Sequence, residues 1–165
     1  MKTFTALIFA FACLVTLVMA DNPRYRDECV TIQYWRGKNG NEVPQIIAEC
    51  PVKTDQPDSY RCTTLKLDMC YANAFGRLEP RLNGGFSSSC SDCIMESTKL
   101  TCTCANGSGG TTRASTETND LIKNAASLLS CFVHNGIWCS DAGIGFHVAE
   151  NITATDYVRL LNSQP

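Results

Sequence analysis

The chain has 165 residues, of which 44% are hydrophobic and 18% charged, with a formal net charge of −2. That balance argues against long disorder, and without a basic block nucleic acid is not an implied partner. The 11 cysteines leave metal, redox and disulfide chemistry to be told apart.

The N-terminus addresses the compartment. Lys2 gives a positive start, and residues 4–18 are apolar apart from Thr5 and Thr16. Val18-Met19-Ala20 then puts small or modest side chains where a signal peptidase reads. The pattern predicts a secretory signal peptide over residues 1–20, cleaved after Ala20, and a secreted, extracellular product. Its apolar core falls short of the ~20 residues that span a bilayer, and no later stretch is longer. No membrane association is expected after cleavage. Removing the signal takes away Lys2 and Cys13, leaving 13 basic against 16 acidic residues, a net of −3, and 10 cysteines. An even number in an exported chain reads as a disulfide framework. The remaining 145 residues make one ordinary domain.

Residues 21–28 are polar and lead into a strand, Cys29-Val30-Thr31-Ile32-Gln33-Tyr34-Trp35, with Val30, Ile32 and Tyr34 on one parity. Gly37-Lys38-Asn39-Gly40-Asn41 is a turn cluster. Ile46-Ile47-Ala48-Glu49-Cys50 is a second strand. After a loop with Pro51 and Pro57, residues 61–67 form a third, with Thr63, Leu65 and Leu67 on one parity. Residues 68–73 suit one helical turn. Gly76 closes it, Leu78 is extended, and Pro80 and Asn83-Gly84-Gly85 break the chain.

From Phe86 the order restarts. Phe86 stands four residues before Cys90, as Tyr25 stands four before Cys29. Two strands ending at Cys104 follow, joined by Glu96-Ser97-Thr98-Lys99. A Gly/Ser/Thr loop covers residues 106–112. Residues 118–129 then parallel residues 67–78, placing Asn124 on Asn73 and Leu129 on Leu78. This is a duplication with a period of about fifty residues, with repeats over about 25–82 and 86–131. Two copies predict a pseudo-symmetric domain over residues 21–139, not a solenoid. Residues 140–165 form a C-terminal extension, with a final capped helical turn at 155–161.

Cys90, Cys93, Cys102 and Cys104 have the density of a zinc site. The exported context opposes zinc, and the first repeat has no such cluster. A redox Cys-x-x-Cys would need a βαβ setting. Paired disulfides are favoured, and Cys93–Cys102 would be a second rung of the hairpin. Parity is the obstacle, because Cys90 and Cys93 point to opposite faces of a regular strand while Cys102 and Cys104 share one. Both bridges therefore require a bulge. Cys62, Cys70, Cys131 and Cys139 allow three pairings.

The ordered elements resemble the cyanovirin-N homologues, especially secreted fungal-type members. They are a Cys-strand, a Leu/Ile-x-x-x-Cys strand, a Leu-Asn/Asp-x-x-Ile turn, an Asn, a Gly-x-Leu and Phe-Ser-Ser-Ser-Cys. The resemblance implies an all-β, strand-exchanged domain in which each half has a three-stranded sheet and a hairpin joined by short helical turns. It places disulfides at Cys29–Cys50 and Cys90–Cys104, and its strand exchange favours cross-pairing of the other four cysteines over Cys62–Cys70 and Cys131–Cys139. It implies two sites for high-mannose glycans, one per half, without metal, cofactor or catalysis. The first site would fall on Arg24, Asp27, Glu28, Lys53, Thr54 and Asn124, with Glu28 in place of a Thr and Ala126 in place of an acid. The second would fall on Asn73, Ala105, Asn106 and Gly107, with Phe75 in place of an acid, and is largely stripped.

Two glycosylation sequons are present, Asn106-Gly107-Ser108 and Asn151-Ile152-Thr153. A glycan on Asn106 would sit in the pocket of the second site. The histidines, His134 and His147, lie outside the repeats and read as ordinary surface residues. No Gly-x-Ser-x-Gly elbow or carboxylate pair marks an enzyme. Tyr34-Trp35 could stack on sugar, but core packing is the favoured role for at least one ring. Trp138 would cover a disulfide. Two functions follow: a lectin for mannose-type or related glycans, or a scaffold that lost glycan binding and engages a host or cell-wall protein.

Overall fold

The computed structural model describes residues 24–37, 42–52, 59–141 and 152–163. The signal segment, Lys53, Thr54, His147 and Asn151 lie outside the described residues.

The first repeat opens with one helical turn, α1 (Tyr25–Glu28), where a polar leader is expected. Three antiparallel strands follow, β1 (Val30–Trp35), β2 (Gln45–Pro51) and β3 (Tyr60–Lys66). A 3-10 turn at Leu67–Met69 leads to the hairpin β4 (Tyr71–Asn73) and β5 (Leu78–Pro80). The second repeat matches it: a 3-10 turn at Phe86–Ser88, then β6 (Cys90–Glu96), β7 (Lys99–Ala105) and β8 (Thr111–Glu117). A turn at Thr118–Asp120 and the hairpin β9 (Lys123–Ala125) and β10 (Leu128–Cys131) complete it. The exchange is visible in the packing. β5 lies against β8 of the second repeat, and β10 lies on β3 of the first.

The expected loop over 106–112 is shorter than the sequence suggests, because β8 begins at Thr111. Its Thr-Thr-Arg-Ala-Ser-Thr-Glu buries only Ala114. An outer strand with one buried position has no hydrophobic alternation to betray it.

A bulge breaks β1 and β6 at equivalent points. Val30 pairs with Glu49, but the next pair is Gln33 with Ile47. Likewise Ser91 pairs with Thr103 and then Ile94 with Thr101. Thr31 and Asp92 each take a left-handed φ of 49° there. The bulge in β6 lets Cys90 bond Cys104 and Cys93 bond Cys102 within one hairpin. With all four sulfurs bonded to one another, none is a thiolate for zinc. The bulge in β1 overturns the expected parity: Val30 is 43% exposed, while Ile32 and Tyr34 pack on the core. The other bridges are Cys29–Cys50, Cys62–Cys139 and Cys70–Cys131.

Two hydrophobic cores flank the first sheet. Ile46, Ala48 and Leu65 face the main core with Tyr25, Tyr71, Phe86, Leu100, Ile122 and Leu129. Ile47 and Cys62 face the other way, toward Trp35 and Cys139. The cover on that side comes from beyond the repeats. β11 (His134–Asn135) pairs with β10, β12 (Ile137–Trp138) pairs with β3, and helix α2 (Ala154–Ser163) lays Ala154, Tyr157 and Leu161 on the second core. A strand buried on both faces reads as an apolar run, as Ile46-Ile47-Ala48 does. Its counterpart β7 has one solvated face, and Leu100-Thr101-Cys102-Thr103-Cys104 alternates.

Helix α2 is ten residues long, more than the single turn expected. Thr153 caps it, accepting from Asp156 N at 3.1 Å while donating to Asp156 Oδ2 at 2.8 Å. Glu49 Oε1 takes the Ala154 N–H at 2.9 Å, placing a carboxylate at the positive end of the helix. Trp35 Nε1 donates to Asn162 Oδ1 at 3.1 Å, and Gln33 Nε2 to Thr155 Oγ1 at 2.8 Å.

Candidate functional site

The two candidate sites are related by the duplication, and each forms where an exchanged hairpin meets the helical turn of the other repeat. In the first half, α1 is pinned along β9. Arg24 forms an isolated antiparallel bridge with Lys123, and Tyr25 N donates to Ile122 O at 3.3 Å. Arg26 N donates to Asn119 Oδ1 at 3.0 Å. The Tyr25 ring is fully buried and its hydroxyl lies 2.8 Å from Thr118 Oγ1. Thr118 gives its own proton to Thr98 O at 2.6 Å, so Tyr25 is the donor. Burial raises the Tyr25 pKa, with the Thr118 bond opposing.

This anchoring sets the charged side chains. Asn124 is 1% exposed and donates through Nδ2 to Glu28 Oε2 at 2.5 Å. Asn124 Oδ1 is buried with no partner among the described residues. Asn124 therefore holds the Glu28 carboxylate from beneath and presents no polar atom of its own at the surface. Glu28 is half-buried, and its Oε1 has no partner among the described residues. Asp27 is exposed. The Arg24 guanidinium, 59% exposed, lies 3.9 Å from Asp120 Oδ1, a loose, solvent-exposed pair of small energetic value. Asp120 carries no sequence signal as a site residue, since its counterpart in the first repeat is Met69. Lys53 and Thr54 lie outside the described residues.

The second half repeats the scaffold without the charges. Ser87 N and Oγ both donate to Asp68, at 2.9 and 2.5 Å, where Arg26 uses Asn119. Asn73 replaces Asn124. Its Nδ2 donates to Ser89 Oγ at 3.0 Å and Ala105 O at 2.8 Å, and its Oδ1 accepts from Gly76 N at 2.7 Å. Ser88 and Ser89 stand where the first half has Asp27 and Glu28. Phe75, 83% exposed, stands where it has Ala126, and both take a left-handed φ, 52° and 50°. Asn106 and Gly107 lie against this hairpin: a Cβ added at Gly76 would sit 3.2 Å from Asn106 Cβ, and one at Gly107 would sit 2.8 Å from Phe75 Cδ1.

The aromatic candidates are structural. Trp35 is 7% exposed beneath α2, and the Tyr34 hydroxyl is buried without a partner among the described residues. Tyr34 borders a cleft of about 240 Å³ with Arg26, Ile32, Gln33, Met95 and Ser97. Trp138, half-buried next to the Cys62–Cys139 bond, carries the Arg61 guanidinium 4.2 Å above its ring. His134 Nε2 lies 2.6 Å from Asn83 Oδ1, away from both sites.

Comparison with known proteins gives these sites a context. The CVNH domain family matches residues 25–130, ending before β11, β12 and α2. Among solved structures, a MoCVNH3 variant in complex with (N-GlcNAc)4 aligns with a TM-score of 0.56 at 13% identity, covering 68% of this chain and 99% of that one. Microvirin in its mannobiose complex aligns at 0.53 and 23% identity, with 67% and 99% covered. The CVNH protein of T. borchii aligns at 0.52 and 26% identity, with 66% and 99% covered. No curated protein sequence matches the chain.

Proposed function

This chain belongs to the CVNH domain family, and from that premise we propose that it is a carbohydrate-binding protein with no catalytic step. Its ligand is a mannose-type or related glycan, bound by the first half. One observation carries the reading: Arg24, Asp27 and Glu28 are presented on a turn that Asn124, Asn119 and Thr118 pin from the other repeat. Such an array offers a cation, two carboxylates and backbone groups at fixed spacing to the hydroxyls of a sugar. With the second half lacking the acids, binding is monovalent and weak, because no second site raises the local concentration. The sugars bound by microvirin and the MoCVNH3 variant support the class of ligand.

The protein acts outside the cell, released by cleavage after Ala20 as a domain over residues 21–139 with an extension over 140–165. Five disulfides support an oxidising destination. Titration of the secreted protein with mannobiose, longer mannose oligomers and N-acetylglucosamine oligomers tests the reading. Saturable binding that disappears in Glu28→Ala supports it. No binding to any of them, before or after enzymatic deglycosylation, sinks it.

A second reading, a scaffold for a host or cell-wall protein, is favoured by one feature. The turn between β10 and β11 consists of Phe132 and Val133, 49% and 79% exposed, with Phe132 at a φ of 53°. Two-residue hairpins ordinarily use Asn-Gly there. Replacing the pair by Asn-Gly should abolish a specific partner's binding, and unchanged binding removes this reading.

A further inference from the structure

The second half's site keeps its scaffold but loses its acids, and the Asn106 sequon runs along its edge. In the loop between β7 and β8 the Asn106 side chain makes three hydrogen bonds, all through Oδ1. They come from Ser108 N at 3.1 Å, Ser108 Oγ at 3.0 Å and Gly110 N at 3.1 Å. Because these donors fix which end is oxygen, Nδ2 is the end of the amide left with no partner among the described residues. A Cβ at Gly110 would lie 3.2 Å from Nδ2, so glycine there leaves the space beside the nitrogen open. On the neighbouring hairpin Phe75 holds a bulky side chain at a left-handed φ and leaves it 83% exposed. The hairpin turn imposes this φ in both halves, since Ala126 shares it, but only here does the turn carry an exposed aromatic ring. The ring lies directly over Gly107, the middle residue of the sequon.

From this juxtaposition we propose that Asn106 carries an N-linked glycan whose first sugar stacks on the Phe75 ring, so that the second site is occupied by the protein's own carbohydrate. The inference rests on the reading that the chain is exported. In the modification, Asn106 Nδ2 loses a proton and bonds to the anomeric carbon of a lipid-pyrophosphate-linked oligosaccharide. The bond from that carbon to the pyrophosphate oxygen breaks, and the lipid pyrophosphate leaves. The modification precedes folding, and the folded loop accommodates it because the reacted nitrogen is the atom left unused. Stacking follows from the apolar C–H face of a pyranose, which the exposed ring covers. The covalent link supplies the effective concentration that a free sugar would lack.

The test is expression of the full chain, leader included, in a eukaryotic host, with Asn151→Gln to remove the other sequon. Intact mass of the protein in the medium should show one glycan, lost in both Asn106→Gln and Ser108→Ala. The second variant keeps Asn106 itself, so loss in both is not a folding failure. Enzymatic removal of the glycan should lower the melting temperature by about 2–4 °C, and by less than 1 °C in Phe75→Ala. Protein in the medium with unmodified Asn106 overturns the proposal, as does an equal shift in Phe75→Ala. Retention of the chain inside the cell overturns the export on which it rests, without bearing on sugar binding by the first half.

Discussion

Glu28 and Asn124 are 96 residues apart in sequence and joined by a 2.5 Å hydrogen bond, with the asparagine 1% exposed. The bond crosses the strand exchange, so the Glu28 carboxylate of one repeat is positioned by a buried amide of the other. Asn124→Ala should lower stability by about 1–3 kcal/mol, since it strips a half-buried carboxylate of its donor. It should also weaken sugar binding about tenfold although Asn124 is not at the surface. Glu28→Gln keeps the hydrogen-bond geometry and should cost less stability than Asn124→Ala while still reducing binding. Urea unfolding and calorimetric titration of the two variants separate the effects. Full affinity in Asn124→Ala would remove the positioning role.

The scaffold of this site was legible in the sequence, but its cover was not. The echo of Tyr25 and Cys29 in Phe86 and Cys90, and of Asn73 in Asn124, gives the two-fold relation. The clash of parity between Cys90–Cys93 and Cys102–Cys104 requires the bulge that Asp92 supplies. The same bulge at Thr31 went unread, since the first repeat has one cysteine where the second has two and nothing there exposes the change of face. Burial of Ile47 was hidden for a related reason. Its covering partners Tyr157 and Leu161 are more than a hundred residues away, and an amphipathic helix does not say which sheet it will meet. The pairing of Asn124 with Glu28 follows from the exchange and not from any local pattern.

Removal of contacts under α2 should expose Trp35 without disturbing the first-half site. Tyr157 is 2% exposed and Leu161 8%. Tyr157→Ala should cost about 3–5 kcal/mol and Leu161→Ala about 2–3 kcal/mol, through lost burial and the cavity left behind. Trp35 emission should shift to longer wavelength in Tyr157→Ala. Replacing both Cys62 and Cys139 by Ser opens a closure of 77 residues and should cost about 2–5 kcal/mol. An unfolding midpoint equal to that of the unaltered chain in all three variants would show that the helix is not part of the cooperative unit.

The bulge residue Thr31 offers a change in the other direction. A β-branched side chain at a φ of 49° is strained, and glycine relieves that strain at some cost in unfolded-state entropy. The hydroxyl donates to Glu49 Oε2 at 3.1 Å at an exposed position, a bond of small net value. Thr31→Gly should therefore be neutral or stabilising by up to about 1 kcal/mol. Thr31→Val keeps the strain and loses the hydrogen bond, so it should destabilise. Melting curves of the pair check the sign, and destabilisation by glycine beyond that of valine would contradict a strained bulge.

Buried tyrosines set the alkaline limit of the fold. Burial pushes Tyr34 and Tyr157 up to about 12, and it raises Tyr71 and Tyr25 as well, with a Thr118 hydrogen bond opposing the rise in Tyr25. A tyrosine near 10 when unfolded releases its proton from the unfolded chain first. Its contribution is therefore fully present below pH about 10 and is lost as pH rises toward about 12. Each such group steepens the fall by up to about 1.4 kcal/mol per pH unit in that window. Urea midpoints should stay level from pH 7 to 9 and then drop, with tyrosinate absorbance at these positions appearing only as the chain unfolds. Tyr34→Phe is the informative variant. Its hydroxyl is buried with no partner among the described residues, so the variant should match or exceed the parent at pH 7, and its stability should fall less steeply above pH 10. An unchanged slope would show that Tyr34 titrates as an exposed phenol.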